Sequence, residues 1–356
     1  MELRAPEVVF KNGSCYPTME VVMFRHIVVV LLSIASIGLP LKIASASTVF
    51  GNFIQQRALD PIKLQTGLPE AASRLFTPSE LQLSAVHNNV FMGGLTDSER
   101  LVLDGESSQL NLRYRRRISA CWQLNLSGSW LSHSSGWFDQ PVHQWHQIFG
   151  LPDAQRGDWP SNQLEYLYEN AEQQQVLPGE SYGWGDAQVQ VQHYLGCAAN
   201  APIVRAGIKL PVGDREQFLG NGSLDAFVDI QSTWNKLKPA SRWQWAASFG
   251  VLKAGNNEFI AEQESLVGFG IAGLNYSLNT KTELLGQLDW HTPMFKSELR
   301  ELGKPAAQLS LGMRYQTRSR GSWEVSFSED VAVDTSPDIV VRLAWISRFD
   351  AVSLLK

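Results

Sequence analysis

Along most of the chain, side-chain character changes from one residue to the next. Leu110, Leu112, Tyr114, Arg116 and Ile118 alternate with Gln109, Asn111, Arg113, Arg115 and Arg117. Trp122, Leu124, Leu126, Gly128 and Trp130 alternate with Gln123, Asn125, Ser127 and Ser129. Period-two switching of this kind is the mark of a strand with one apolar and one wet face. It recurs to Ile339, Val341, Leu343, Trp345 and Phe349. Segments near 79–91, 99–118, 120–132, 184–195, 202–212, 222–235, 241–253, 265–278, 281–292, 306–317, 321–331 and 338–349 carry it, about 12 strands in all. The connections alternate short turns (118–120, 196–201, 236–240, 279–280, 318–320) with long loops (92–98, 133–183, 213–221, 254–264, 293–305, 332–337). Short turns on one side, long loops on the other and an even count predict an all-β fold, a transmembrane antiparallel β-barrel. The pattern 162–178 then belongs to a hairpin within the longest loop, because counting it in the wall breaks the parity.

A soluble β-sandwich also alternates. Against it stand strands of ten or more residues, where globular proteins favour about five or six. Trp130, Trp234, Trp290 and Trp345 near strand ends suit an interfacial girdle. If the apolar faces meet lipid, the other faces line a lumen holding Arg113, Arg115, Arg117, Arg205 and Lys209 with Asp225, Asp229, Glu283, Asp289 and Glu324. Mixed charge in so narrow a barrel predicts a paired, hydrogen-bonded filling more readily than an open pore.

The first 78 residues do not alternate. Arg25 and His26, the apolar run Ile27 to Leu39 and Ala44-Ser45-Ala46 read as a secretory signal peptide with a small-residue cleavage site. Met23 is the expected initiator, and residues 1–46 are the processed segment. Residues 47–78, broken by Pro61, Pro69 and Pro78, are irregular and either line the mouth on the turn side or fold into the lumen. The barrel occupies 79–349 and a short tail 350–356. Twelve Trp and 28 Gly with a mean hydropathy of only -0.15 fit strands that are apolar on one face. The net charge of -5, with no basic half, excludes a nucleic-acid footprint. Cys15, Cys121 and Cys197 match no metal spacing. Cys121 and Cys197 fall near turns on one side, so a disulfide is conceivable, with unpaired thiols the default expectation.

Residues 133–156 hold most of the groups capable of chemistry, and they admit three readings. His133 and Ser135 could act as general base and nucleophile of a lipid hydrolase; the spacing resembles the His-x-Ser-Asn motif of outer-membrane phospholipase A, also a twelve-stranded barrel. Gly136 stands where that motif has Asn, and strand parity turns His133 and Ser135 inward. Asp139, His143 and His146 share one side of a short helix and could hold a divalent metal. The preferred account makes Asp139 the N-cap and Gly150 with Pro152 the stop of a short amphipathic helix whose apolar face is Val142, Trp145 and Phe149. With Asp153 and Arg156 following, this helix forms a lid over the outer mouth or rests on the outer leaflet.

Several stretches resemble an uncharacterised family of Gram-negative envelope proteins, the domain-of-unknown-function family numbered 3187. They are His133-Ser134-Ser135-Gly136-Trp137-Phe138-Asp139 through Trp145-His146 to Phe149-Gly150-Leu151-Pro152-Asp153 and Arg156, then Gly183-Trp184-Gly185-Asp186 and Lys209-Leu210-Pro211-Val212-Gly213-Asp214. His291-Thr292-Pro293, Leu299-Arg300-Glu301-Leu302-Gly303, Ser328-Glu329-Asp330 and Asp334-Thr335-Ser336-Pro337-Asp338 complete the match. The resemblance implies an envelope protein and supplies no activity. The expectation is therefore a barrel of the Gram-negative outer membrane without cofactor or metal. Its partners are outer-membrane lipids, the barrel-assembly machinery during biogenesis and small solutes. It is structural or a narrow gated channel, with a lipid hydrolase as the alternative.

Overall fold

The computed structural model describes residues 53–57, 59–75, 77–149, 160–197, 201–234, 242–256, 260, 262–317, 321–331, 337 and 339–349. The expected signal peptide, the tail 350–356, Asp153 and Arg156 lie outside the described residues. Among the described residues fifteen strands form a single antiparallel sheet. They are β1 (Ser79–Leu95), β2 (Glu99–Arg117), β3 (Trp122–Ser134), β4 (Glu165–Asn170), β5 (Gln174–Val176), β6 (Ser181–Trp184), β7 (Ala187–Tyr194), β8 (Ile203–Leu210), β9 (Asp225–Trp234), β10 (Trp243–Lys253), β11 (Leu266–Ser277), β12 (Thr282–His291), β13 (Ala306–Gln316), β14 (Gly321–Asp330) and β15 (Ile339–Phe349). Two short helices interrupt the loops, α1 (Asp139–Phe149) and α2 (Arg300–Gly303).

The sheet closes on itself where β1 pairs with β15, Ser79 facing Phe349 and Asn89 facing Ile339. The ring β1, β2, β3, β7 to β15 is a twelve-stranded barrel. Alternation decides which face of each strand points where. On β1, Glu80, Gln82, Ser84 and Val86 are buried inside while Leu83 and Ala85 are exposed outside. Leu110, Leu112, Val228, Phe249, Val325 and Leu343 continue an exposed apolar band around the outer wall. Within the twelve-stranded ring closure leaves no free edge, whereas β5 pairs only with β4 and β6 only with β3.

Two departures from regularity arise at the longest loop. β6 and β7 form one wall strand broken at Gly185–Asp186, where a single strand over 184–195 was expected. Trp130 faces Trp184 and Ser127 faces Gln188, so three residues oppose two. This bulge re-aims the following side chain, and Asp186 meets Lys209 Nζ at 2.9 Å. The hairpin β4–β5 does not stand free inside the loop. It pairs with the far half of β2, Leu103 facing Tyr166, and carries the wall on beyond the end of β3.

Cys121 and Cys197 are joined in a disulfide, correcting the expectation of free thiols. The 76 residues between them hide their proximity in sequence. β3 and β7 are nevertheless neighbours, Trp122 facing His193, so the turns that bear the cysteines sit side by side.

Candidate functional site

The lumen is occupied by the chain's own N-terminal segment. Residues 53–75 run along the inside of the barrel toward the loop end, turn there and return to the turn end. Gln55 Nε2 donates to Ala71 O at 2.7 Å and ties the two legs together. Asp60 makes the turn by accepting the backbone N–H groups of Ile62 and Lys63, at 3.0 and 2.9 Å. Lys63 Nζ then donates to Glu301 O of α2 at 2.7 Å.

An irregular backbone cannot be buried unless its polar groups find partners, and the barrel wall supplies them. Gln231 accepts from Ala72 N and donates to Ala72 O, both at 2.9 Å. Gln123 and Gln192 both donate to Ser73 O, at 3.1 and 2.9 Å. Asp225 accepts Gly67 N at 2.9 Å, and Gln287 donates to Ile54 O at 3.1 Å. Charge adds to this. Arg113 pairs with Glu70 and donates to Gln55 Oε1. Arg57 lies 3.6 Å from Asp289, and Arg205 donates to Glu70 O at 2.7 Å.

Nine of the ten charges expected in the lumen are buried there, and Arg117 alone is exposed, at the turn end. Arg205 pairs with Asp229, and Lys209 with Asp186 and Asp225. Arg314 bridges Glu283 and Glu324, while Glu80 holds both Arg115 and Arg348. Between the plug and the wall of β2, β3 and β7 remains a cavity of about 90 Å³ lined by Arg57, Glu70, Gln109, Asn111, Arg113 and Lys209 among others.

Toward the loop end the filling becomes apolar. Leu59, Ile62 and Leu68 of the plug pack in one cluster with Leu101, Leu103, Tyr166, Phe218, Met294 and Leu299. Tyr168, in the same cluster, donates its phenol to Glu99 Oε1 at 2.7 Å. Burial first, and then this bond to Glu99, raise its pKa, so the phenol stays protonated.

His133 and Ser135 do not form a dyad. His133 is buried in the lumen with both ring nitrogens engaged. Nε2–H donates to Phe218 O at 2.9 Å, which leaves Nδ1 to accept from Ser107 Oγ at 2.7 Å. Its ring stands edge-on to Tyr166. His133 therefore faces no bilayer.

The loop after His133 leaves the mouth and lies on the outer wall. Glu106, on the outward face of β2, accepts the backbone N–H groups of Trp137, at 2.8 Å, and Phe138. Asp139, expected as the N-cap, is the first residue of α1. Its carboxylate accepts from Asn89 Nδ2 at 2.8 Å and from Asn162 N at 2.6 Å. Val142 is buried, Ile148 is exposed, and His143 bonds Gln147 Nε2 at 2.8 Å. Trp145, His146 and Phe149 belong to α1, but their side chains lie outside the description. Among the described residues no three His, Cys, Asp or Glu are grouped to hold a metal. At the loop end Phe218 of the loop 211–224 and Met294, Phe295, Leu299 and Leu302 of the loop 292–305 pack on the plug.

The profile of a family described as protein of unknown function, DUF3187, matches residues 29–349. The chain belongs to the DUF3187 family. No curated protein matches the sequence. Solved structures similar to this DUF3187 chain are outer-membrane barrels. The COG4313 outer membrane channel from Pseudomonas putida F1 is similar over 78% of this chain and 97% of its own, at 10% identity and a TM-score of 0.48. For the NanC porin the figures are 76% and 99%, at 9% identity and a TM-score of 0.44. For the P. putida toluene transporter TodX they are 82% and 93%, at 11% and 0.37.

Sequence reasoning passed over Arg57, Asp60, Lys63 and Glu70 of the plug in this family member. The available signal was composition: two prolines, Pro61 and Pro69, and five charges, Arg57, Asp60, Lys63, Glu70 and Arg74, in a non-alternating stretch suit a backbone that must be satisfied by side chains.

Proposed function

We propose that the chain is an outer-membrane barrel whose lumen is a narrow channel for small solutes, held shut by residues 53–75. The outward apolar band supports the membrane assignment. Trp122, Trp234, Trp243, Trp323 and Trp345 stand at its turn end and Trp130 and Trp184 toward its loop end. The leader expected at 1–46 and the side that bears the short turns support a periplasmic turn end.

The observation that carries the channel reading is the nature of the plug's attachment. In the half of the lumen nearer the turns it is held mainly by side-chain amides and ion pairs, for which water can substitute, with small apolar seats at Phe53, Ala71 and Ala72. A filling meant only to stiffen the barrel would have favoured apolar contacts throughout, since those are lost on exposure to water. The polar lining left behind by a departing plug would form a wet pathway.

Planar-bilayer recording tests this. The full chain is expected to be silent or nearly so, and a variant lacking residues 47–75 is expected to show discrete conductance steps. Folding of both is checked by faster migration on SDS gels before boiling than after. A deletion variant that keeps this mobility difference yet passes no current would leave a structural barrel as the better account.

A further inference from the structure

Another constellation, absent from the readings of 133–156, sits on the outer wall. His87 of β1 faces Ser108 of β2 across the ladder, and both point outward. His87 Nδ1 lies 2.9 Å from Ser108 Oγ. On the other side of the ring, His87 Nε2 lies 3.0 Å from Glu106 Oε2. Glu106 is almost wholly buried, Ser108 is exposed and His87 is between the two.

The order hydroxyl, imidazole, carboxylate is the order a nucleophilic serine requires. Glu106 Oε2 approaches Nε2 without forming a hydrogen bond in this geometry, and its charge favours the tautomer with the proton on Nε2, which leaves the Nδ1 lone pair to take the serine proton. Glu106 itself is fixed: Oε1 accepts the N–H groups of Trp137 and Phe138. Gly136 passes over it with φ +69, so close that a Cβ would fall on the carboxylate. Trp137 stacks on His87 and Phe138 meets its edge, walling the ring from water on those sides. A polar cluster meant only to pin the loop would need Glu106 and the loop amides. It would have no use for an exposed serine aligned with the other nitrogen of His87.

The position suggests the substrate. One step toward the turn end on the same outward faces are Ala85, Leu110 and Trp130, part of the apolar band. Ser108 thus stands where that band ends on the loop side, the depth at which a lipid's acyl esters meet its headgroup. Ser132 of β3 faces Ser108 on its other flank and offers a hydroxyl toward the same space.

We infer that Ser108, His87 and Glu106 form a hydrolase site for long-chain acyl esters of outer-leaflet lipids. Ser108 Oγ attacks the ester carbonyl as its proton passes to His87 Nδ1. The tetrahedral intermediate expels the alkoxide, which takes that proton, leaving a lyso-lipid and an acyl group on Ser108. Water then attacks the acyl-serine, with His87 again accepting the proton, and releases a fatty acid with Ser108 restored. Glu106 is a positioning residue whose charge selects the reactive tautomer and balances the imidazolium charge, while Trp137 and Phe138 pack against the ring. The ester chemistry is shared by phospholipids and by the acyloxyacyl chains of lipopolysaccharide. The choice of a lipid substrate rests on the outer-membrane reading above.

The test uses the refolded mature barrel in detergent with three substrates: phosphatidylethanolamine in mixed micelles, lipopolysaccharide, and p-nitrophenyl palmitate. Fatty acid release from at least one of the two lipids is expected, the preferred lipid identifying the source, together with cleavage of the palmitate ester. A long-chain alkyl fluorophosphonate should label one residue, Ser108, as read by peptide mass spectrometry. Ser108→Ala should abolish release and labelling, and His87→Ala should lower the rate by roughly 10²–10⁴-fold. Glu106→Gln should lower kcat by about tenfold or more with KM unchanged, a split that general loosening of the loop would not give. Ser108 is exposed, so Ser108→Ala should retain the heat-dependent gel shift.

Wild-type protein with that shift but without release or labelling would overturn the proposal, as would wild-type rates in Ser108→Ala. Cleavage of the palmitate ester alone would overturn the lipid assignment. The palmitate ester and the fluorophosphonate need no bilayer, so they report on the site even if the gel shift fails and the membrane reading falls.

Discussion

Replacing Glu324 by leucine is expected to cost about 3–5 kcal/mol of folding stability, the usual penalty for stranding a buried charge. Glu324 is buried on the inward face of β14. It accepts from Arg314 Nε at 2.8 Å and pairs with Arg342 on the following strand. Arg314 would keep Glu283, 3.1 Å away. Arg342 would lose the carboxylate it is paired with, in a place where its Nε and Nη2 already find no hydrogen-bond acceptor among the described residues. Urea unfolding of the protein in liposomes, followed by tryptophan fluorescence, gives the loss. Adding Arg342→Leu should restore part of it, because the second substitution removes the charge that the first one strands. A double variant no more stable than Glu324→Leu alone would show that the cluster is not held by this pair.

Gly273→Val should release the plug and leave the wall intact. Gly273 is on the inward face of β11, and its backbone is in a conformation open to any residue, so valine suits the strand itself. The obstacle is Phe53, whose ring lies where the Cβ would go and which is clustered with Ala71, Ala246 and Ile271. Overfilling this seat is expected to cost about 1–3 kcal/mol, roughly a five- to hundred-fold shift toward released plug. Arg57 and Lys63 are buried when the plug is seated. Trypsin should therefore cut after them faster in the variant by a factor in that range, while the gel shift of the barrel persists. Cleavage at the wild-type rate would mean that Phe53 does not hold the plug in place.

The wall of this protein was legible in its sequence to a high degree because a barrel strand reports its orientation at every residue. Alternation gave Leu110 and Leu112 to one face and Arg113 and Arg115 to the other, and loop parity placed 162–178 outside the twelve wall strands. Burial of nine of the ten charges named for the lumen follows from that same parity. The bulge at Gly185–Asp186 was not visible, since an added residue changes the register without changing composition.

The loop 133–156 was the least well read. Its helix was recognised, but the helical periodicity of α1 states only that one face is apolar and not which surface that face meets. The partner that positions it, Glu106, lies on a strand 31 residues before Trp137 and is matched to backbone amides, which carry no sequence signal. The same holds for His87 with Ser108 and Glu106: two adjacent strands bring them together, and the distance between them along the chain is set by loop length.

The sequence by itself determined the barrel, its strand number, its inner and outer faces and the existence of a charged lumen, because each of these depends on local alternation and on counting. Only the tertiary structure decided what fills that lumen, which cysteines meet and where the long loop rests. Those outcomes depend on pairs far apart in the chain, such as Arg113 with Glu70, Cys121 with Cys197 and Glu106 with Trp137. Their contact energies exist only once the ring of strands has closed.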